Sequence, residues 1–194
     1  MTKAEKILNF IEKHYDSEAF ARLRSLETSS SLDIGCGRSP KNPFKAKSTK
    51  GLDIVAEPGT NIIKCDLFTQ GFPFDDGNFQ FITAFDFVEH VPRVFIDMHG
   101  TTRFRVVEIM QEVHRCLDAG GLFFSFTPAY PSEAAFRDPT HVNIITTDTF
   151  PMYFCVNNKK RPEAYRYGFT GAFRLIAQEL SGSHLLTLLE KNII

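Results

Sequence analysis

The stretch Ser31-Leu32-Asp33-Ile34-Gly35-Cys36-Gly37 decides how this chain is read. A short apolar run carries an acid and then breaks into a glycine turn. A buried strand of a parallel sheet delivers a nucleotide in this way, at its carboxyl end. The glycines let backbone approach a ligand where a Cβ would clash. Gly51-Leu52-Asp53-Ile54-Val55 is a second short apolar stretch with an acid, about 20 residues further on, the spacing at which a carboxylate meets ribose hydroxyls in dinucleotide folds. The glycine run itself argues against a dinucleotide. A Gly-x-Gly-x-x-Gly fingerprint needs glycine at position 40, where Pro40 stands, and Lys41-Asn42-Pro43 follows. No helix starts tightly against the turn, so no helix N-terminus is offered to a pyrophosphate. The ligand expected is a nucleoside without phosphates.

Leu32-Asp33-Ile34-Gly35-Cys36-Gly37 resembles the first motif of class I S-adenosylmethionine-dependent methyltransferases, in particular the type 11-like, small-molecule branch. The likeness continues in order along the chain. Cys65-Asp66-Leu67 and Phe72-Pro73-Phe74-Asp75-Asp76-Gly77-Asn78-Phe79-Gln80-Phe81-Ile82 are similar to the family's third-strand region and its entry to strand four. Phe87-Val88-Glu89-His90-Val91 is similar to the segment after strand four. Val113-His114-Arg115-Cys116-Leu117-Asp118-Ala119-Gly120-Gly121-Leu122 is similar to the turn from helix to strand five.

The resemblance implies a single Rossmann-like α/β domain over residues 1–194. Its doubly wound seven-stranded sheet would be mostly parallel, with a C-terminal antiparallel hairpin strand and the order 3-2-1-4-5-7-6. It implies S-adenosyl-L-methionine as cofactor and S-adenosyl-L-homocysteine as product. Gly35 and Gly37, with Cys36 between them, would lie against the cofactor's amino-acid moiety and ribose. Asp33 would orient the cofactor's charged end or its loop. Asp53 would accept from both ribose hydroxyls, a task suited to a carboxylate. Ile54 would pack on adenine. Asp66 would accept from the adenine amino group with the Leu67 backbone nearby, and Asp86 and Phe87 would close the pocket. One departure bears on the loop path: Ser39 stands where many members have a further glycine, and Pro40 follows.

Composition narrows the class. The 194 residues carry 22 Lys+Arg against 23 Asp+Glu, a formal charge of −1, so the basic field that attracts long nucleic acids is missing. The cationic cluster Lys159-Lys160-Arg161 reads as a solvated loop. Cys36, Cys65, Cys116 and Cys155 form neither a CxxC pair nor a zinc spacing. They fit small buried residues in a reducing compartment. Lys and Glu interrupt the apolar residues near the N-terminus, unlike a signal peptide, and no run reaches membrane-span length. A soluble cytoplasmic protein, monomer or homodimer, is expected.

Ile7, Leu8, Phe10 and Ile11 recur at helical spacing over residues 3–15. A second short helix is predicted over 18–26, so residues 1–28 form a helical N-terminal cap. Strands are predicted at 51–55, 61–64, 79–84 and 122–126, and a helix over 108–117 that Ala119-Gly120-Gly121 caps. Phe173–Leu180 and His184–Glu190 read as a hairpin joined by Ser181-Gly182-Ser183. Alternating strands and helices imply a parallel sheet covered on both faces. Two stretches exceed a minimal domain: 92–105, and 127–170 with its five prolines and aromatics such as Tyr130, Phe136, Phe150, Tyr153 and Phe154. Long loops at a sheet's carboxyl end are usually functional. Both are expected to form the substrate side, as a lid.

Methyl transfer from a sulfonium has a good leaving group and needs mainly alignment and exclusion of water. A proton acceptor helps when a hydroxyl attacks. His90, and His141 within Arg137-Asp138-Pro139-Thr140-His141-Val142-Asn143, are the catalytic candidates; Asp138 is placed to orient His141 or cap a turn. His14, His99, His114 and His184 read as surface or packing residues. No metal is expected: His90, Asp138 and His141 could assemble a site, but the spacing does not demand it. The activity expected is methyl transfer to a small hydroxylated metabolite, a saccharide among them, without nucleic acid or membrane partners. The alternatives are a cofactor-binding, non-catalytic module acting through a protein partner, and a nicotinamide oxidoreductase, which Pro40 disfavours.

Overall fold

The computed structural model describes residues 2–14, 18–157 and 160–192. Two helices lead: α1 (Lys3–Lys13) and α2 (Glu18–Ser25). At α1 the Glu5 backbone N–H donates to Thr2 Oγ1 at 3.2 Å, and the Thr2 N–H donates to Glu5 Oε2 at 2.7 Å. This capping box satisfies donors that a helix start leaves open. Strands β1 (Ser30–Ile34), β2 (Ser48–Asp53), β3 (Ile62–Lys64) and β4 (Phe79–Phe85) follow, then a small hairpin of β5 (Phe95–Ile96) and β6 (Thr102–Arg103). Helix α3 (Arg105–Cys116) runs straight into β7 (Leu117–Pro128); α4 (Thr149–Phe154), β8 (Phe173–Ser181) and β9 (His184–Lys191) complete the chain.

The main sheet has the order β3-β2-β1-β4-β7-β9-β8. Only β9 pairs antiparallel with both neighbours. With the small β5–β6 hairpin set aside, this is the expected 3-2-1-4-5-7-6. The period of two along each strand sends alternate residues to opposite faces. Phe81, Phe85, Phe124, Phe126, Leu186 and Leu188 meet Ile7, Phe10, Ile11 and Leu23 of the leading helices. Ile82, Ala84, Phe123, Leu185 and Leu189 meet Val107, Met110 and Val113 of α3 with Phe150 and Phe154 of α4. All seven residues of β4 are buried, as a central parallel strand requires.

Several boundaries differ from expectation, each for a physical reason. β2 begins at Ser48, because Ser30, Ser31 and Leu32 pair with Ser48, Thr49 and Lys50; apolarity marks where a strand is buried, whereas pairing extends further. Ile54 and Val55 lie beyond its end and are 60% and 63% exposed. The Gly120-Gly121 pair does not cap α3. Phe79 pairs with Leu117 and Phe81 with Leu122, so residues 118–121 bulge within β7, and Gly120 takes a φ of +70°. The connections 35–47 and 54–61 hold no helix. Pro40, Pro43 and Pro58 stand there, and proline obstructs helix interiors. The helical alternation is thus thinner than the strand pattern implies. The 127–170 stretch is ordered by α4 and by 3-10 turns at Glu133–Ala135 and Glu163–Tyr167. Of Lys159-Lys160-Arg161, Lys159 lies outside the described residues. Among the described residues, no helix is long and apolar enough to cross a membrane.

Candidate active site

A cavity of about 400 Å³ opens at the carboxyl ends of β1 to β4. Gly35, Asp53, Ile54, Cys65, Asp66, Leu67, Phe68, Asp86, Phe87, His90 and Thr140 line it. Most of the residues singled out from the sequence are therefore brought together. Asp33, Cys36, Gly37 and His141 stand outside that lining.

Gly35 has a φ of +63°, and a Cβ built there would stand 2.2 Å from Phe87 Cδ2. The backbone of the turn rests directly on the Phe87 ring, which stacks on Phe68 with 6.2 Å between centroids. Only glycine supplies both the left-handed φ and the missing side chain. Asp53, at the end of β2, accepts from the Gly37 N–H through Oδ2 (2.8 Å) and from the Val55 N–H through Oδ1 (3.1 Å). Each carboxylate oxygen retains a lone pair for a ligand. Asp66 Oδ1 accepts from the Phe68 N–H at 2.9 Å. Arg105, buried at the start of α3, donates to the Leu67 carbonyl at 2.8 Å and to the Gln70 carbonyl, and so ties this loop to the helix.

Asp33 is fully buried. Its Oδ2 accepts from the Lys41 N–H at 2.8 Å and its Oδ1 from the Thr83 hydroxyl at 2.7 Å. Both bonds fall to the protein, and the first pulls the Ser39-Pro40 loop back onto β1. Burial raises the carboxyl from its ordinary 3.8 to about 6, against those two hydrogen bonds and the Lys41 charge. Cys36 is buried between β1 and Gly51, with Sγ 2.5 Å from the Cβ position of that glycine. Burial first, then the Asp33 and Asp53 charges, push its thiol up to about 12, which makes it a packing group and not a nucleophile.

Asp86 has a left-handed φ of +48°, which aspartate tolerates better than most residues. Its carboxylate meets Lys3 of α1 and accepts from His184 Nε2 at 3.0 Å. Burial acts to raise this carboxyl, but the His184 and Lys3 hydrogen bonds outweigh it and hold it below the usual range. His184 packs as expected, stacked on Phe126 at 4.2 Å, yet it also reaches the site. It opens β9 opposite Pro128, and an antiparallel strand begins where its parallel neighbours end. That direction is the signal by which His184 is recognisable.

His90 and His141 pack edge to face, 4.8 Å between centroids. Thr140 Oγ1 contacts His90 Nδ1 at 3.0 Å and donates to Asp138 Oδ1 at 2.7 Å. His141 Nε2 lies 3.9 Å from Asp138 Oδ2. Glu89 is 1% exposed. Its Oε2 accepts from the Thr127 hydroxyl at 2.7 Å, and burial raises its carboxyl. Asn143, from the same candidate segment, is a fastener: it donates to the Val88 carbonyl at 3.0 Å and its N–H to the Glu89 carbonyl at 2.9 Å. Arg93 donates to Asn143 Oδ1 at 2.8 Å, joining the two added segments. Both line a second cavity of about 440 Å³, with Phe104, Tyr153 and Tyr167 among its walls.

No protein-family model and no curated protein matches the chain. Solved structures do. An S-adenosylmethionine-dependent methyltransferase from Archaeoglobus fulgidus superposes with a TM-score of 0.56 over 97% of this chain and 95% of its own, at 16% identity. The candidate methyltransferase complexed with the Trm112 methyltransferase activator in Haloferax volcanii gives 0.54 over 97% and 95%, at 14% identity. The [4+2]-cyclase SpnF gives 0.57 over 96% and 81%, at 11% identity. The chain has the class I methyltransferase fold. A cyclase shares that fold, so the chemistry must be argued from the site.

Proposed function

We propose that this chain is an S-adenosylmethionine-dependent methyltransferase whose acceptor is a small hydroxylated molecule such as a saccharide. The observation that carries the reading is the cavity at the carboxyl ends of β1 to β4, where two carboxylates, Asp53 and Asp66, stand beside the exposed Ile54 and the paired rings of Phe68 and Phe87. Asp53 would take the ribose hydroxyls, Asp66 the adenine amino group with the Leu67 backbone nearby, and Ile54 the adenine face. The Gly35-Cys36-Gly37 turn would carry the amino-acid moiety, with Asp86 and Phe87 closing that end. The helix-free 35–47 loop supports a ligand without a pyrophosphate.

His90, which lines the cavity, and its neighbour His141 mark the acceptor end. The acceptor oxygen would attack the methyl carbon in line with the departing sulfur, which leaves as a neutral thioether, while the hydroxyl proton would pass to His90 or His141. The chain's part is alignment and exclusion of water. The 92–105 and 127–170 segments would form the acceptor side, and the aromatic walls of their shared cavity suit the apolar faces of a sugar ring. A second reading is a non-catalytic module that binds the cofactor and works through a protein. The neighbour solved with a methyltransferase activator favours keeping it.

Calorimetric titration with S-adenosylmethionine, S-adenosylhomocysteine and NAD tests the pocket. Micromolar binding of the two sulfur nucleosides without NAD is expected. Absence of both would overturn the assignment. Conversion of the cofactor to S-adenosylhomocysteine when saccharides are supplied separates the enzyme from the module.

A further inference from the structure

We propose that Glu89, His90 and His141 form a binding site for one divalent first-row transition-metal ion, such as Zn²⁺, on the acceptor-side wall of the cofactor cavity. Each residue offers one ligand atom, and the three lie within 4.8 Å of one another. Two further observations point to a cation. Glu89 is 1% exposed, and its Oε1 is buried without a hydrogen-bond partner among the described residues; His141 Nδ1 is in the same condition. Unsatisfied buried polar atoms are costly and call for an explanation. Here two of them belong to one cluster.

The hydrogen bonds of Thr140 assign the His90 tautomer. The Asp138 carboxylate can only accept, so the Thr140 hydroxyl spends its one proton on Asp138. Thr140 Oγ1 must then accept from His90 Nδ1–H, which leaves His90 Nε2 with its lone pair. The Asp138 charge stands 3.9 Å from His141 Nε2, beyond hydrogen-bond reach, and acts in favour of the tautomer with its proton at that nitrogen. Asp138 thus acts on His90 through the Thr140 hydroxyl and on His141 through its charge, a place behind the histidines that carboxylates take at metal sites. One ligand atom from each of Glu89, His90 and His141 thus lies within 4.8 Å of the others. A cation satisfies all three at once.

Two imidazoles and one carboxylate suit zinc or another borderline ion better than magnesium. Bonds of about 2.0–2.2 Å at tetrahedral angles hold ligand atoms roughly 3.4 Å apart, so the side chains would close modestly around the ion. Three protein ligands fill three of the four positions usual for zinc. Asp138, grouped with the two histidines in a site that the sequence spacing does not demand, falls behind them, and Glu89 takes its place. If the methyl-transfer reading holds, on which only this last role rests, the ion would orient and acidify the acceptor hydroxyl. The histidines would then hold the cation, and the acidified hydroxyl would give its proton to water before the methyl group transfers.

The test uses the full chain without a histidine tag, stripped with chelator and dialysed against Zn²⁺, Co²⁺ or Mg²⁺ alone. Retention of one Zn²⁺ or Co²⁺ per chain is expected, with Mg²⁺ held far more weakly. Co²⁺ should give a visible ligand-field spectrum. Glu89→Gln and His141→Ala should no longer retain the ion, and Asp138→Asn should bind it about 10- to 100-fold more weakly. Should a variant fail to fold, the wild type still decides: Zn²⁺ should shift the ring NMR signals of two of its six histidines. Failure of the wild type to retain either ion, or shifts at other histidines, would overturn the site. Binding of S-adenosylmethionine is scored separately: metal loss with cofactor binding intact refutes this inference alone, and the converse refutes the methyl-transfer reading alone.

Discussion

Asp33→Asn offers a quantitative test of how the first motif is held. The carboxyl is fully buried and raised from 3.8 to about 6. A raised acid binds more protons folded than unfolded at intermediate pH, so its contribution to stability falls as pH rises. The cost is absent below the ordinary carboxylate range, grows between about pH 4 and 6, and is complete above. At 1.36 kcal/mol per pH unit it reaches about 3 kcal/mol. Asparagine removes the charge and keeps the shape. Its carbonyl can accept from the Lys41 N–H, and its amide can donate to Thr83 Oγ1, whose hydroxyl also has the Leu32 carbonyl at 3.5 Å. The assay is chemical denaturation of both proteins at a series of pH values. Groups common to the two cancel in the difference. The variant should gain about 3 kcal/mol on wild type between pH 4 and pH 7. A difference that stays flat over that interval would refute the claim that burial burdens this carboxylate.

Three further outcomes are expected. Gly35→Ala should cost about 2–4 kcal/mol, from the left-handed φ and the collision with Phe87, and Phe87→Ala should restore part of it in a double-mutant cycle; strict additivity would deny the contact. Asp53→Ala should weaken S-adenosylmethionine binding by about 1–3 kcal/mol in calorimetry, and unchanged affinity in a folded variant would remove Asp53 from the pocket. His184→Phe keeps the stack on Phe126 but removes a hydrogen bond that lowers the Asp86 carboxyl. Carboxyl NMR should then show Asp86 titrating at higher pH than in wild type, and an unmoved titration would show that His184 does not govern it.

The turn at residues 33–37 was legible because every part of it is local: a strand, a positive φ, a glycine that nothing else can replace. The final hairpin was legible for the same reason, since Gly182 at a φ of +65° marks its turn. What escaped depends on pairing between distant segments. β2 starts among polar residues because β1 hydrogen-bonds to them, and no composition reports that. The Gly120-Gly121 bulge arises from the register of β4 against β7. The contact of His90 with His141 joins residues 51 positions apart, and Glu89, quoted only as part of a motif, gains meaning from that contact. Arg105 reads as an ordinary helix residue until the Leu67 and Gln70 carbonyls fill its guanidinium.

The carboxylate of Asp86 is held from one side by Lys3 and from the other by His184. Chains leave the ribosome N-terminal end first. Lys3 and Asp86 are therefore both made before β7, β8 and β9, whereas His184 arrives only when β8 has already emerged. The partners of Asp86 are thus supplied in two instalments separated by nearly a hundred residues of synthesis, and the second comes on β9, the strand that joins β7 to β8.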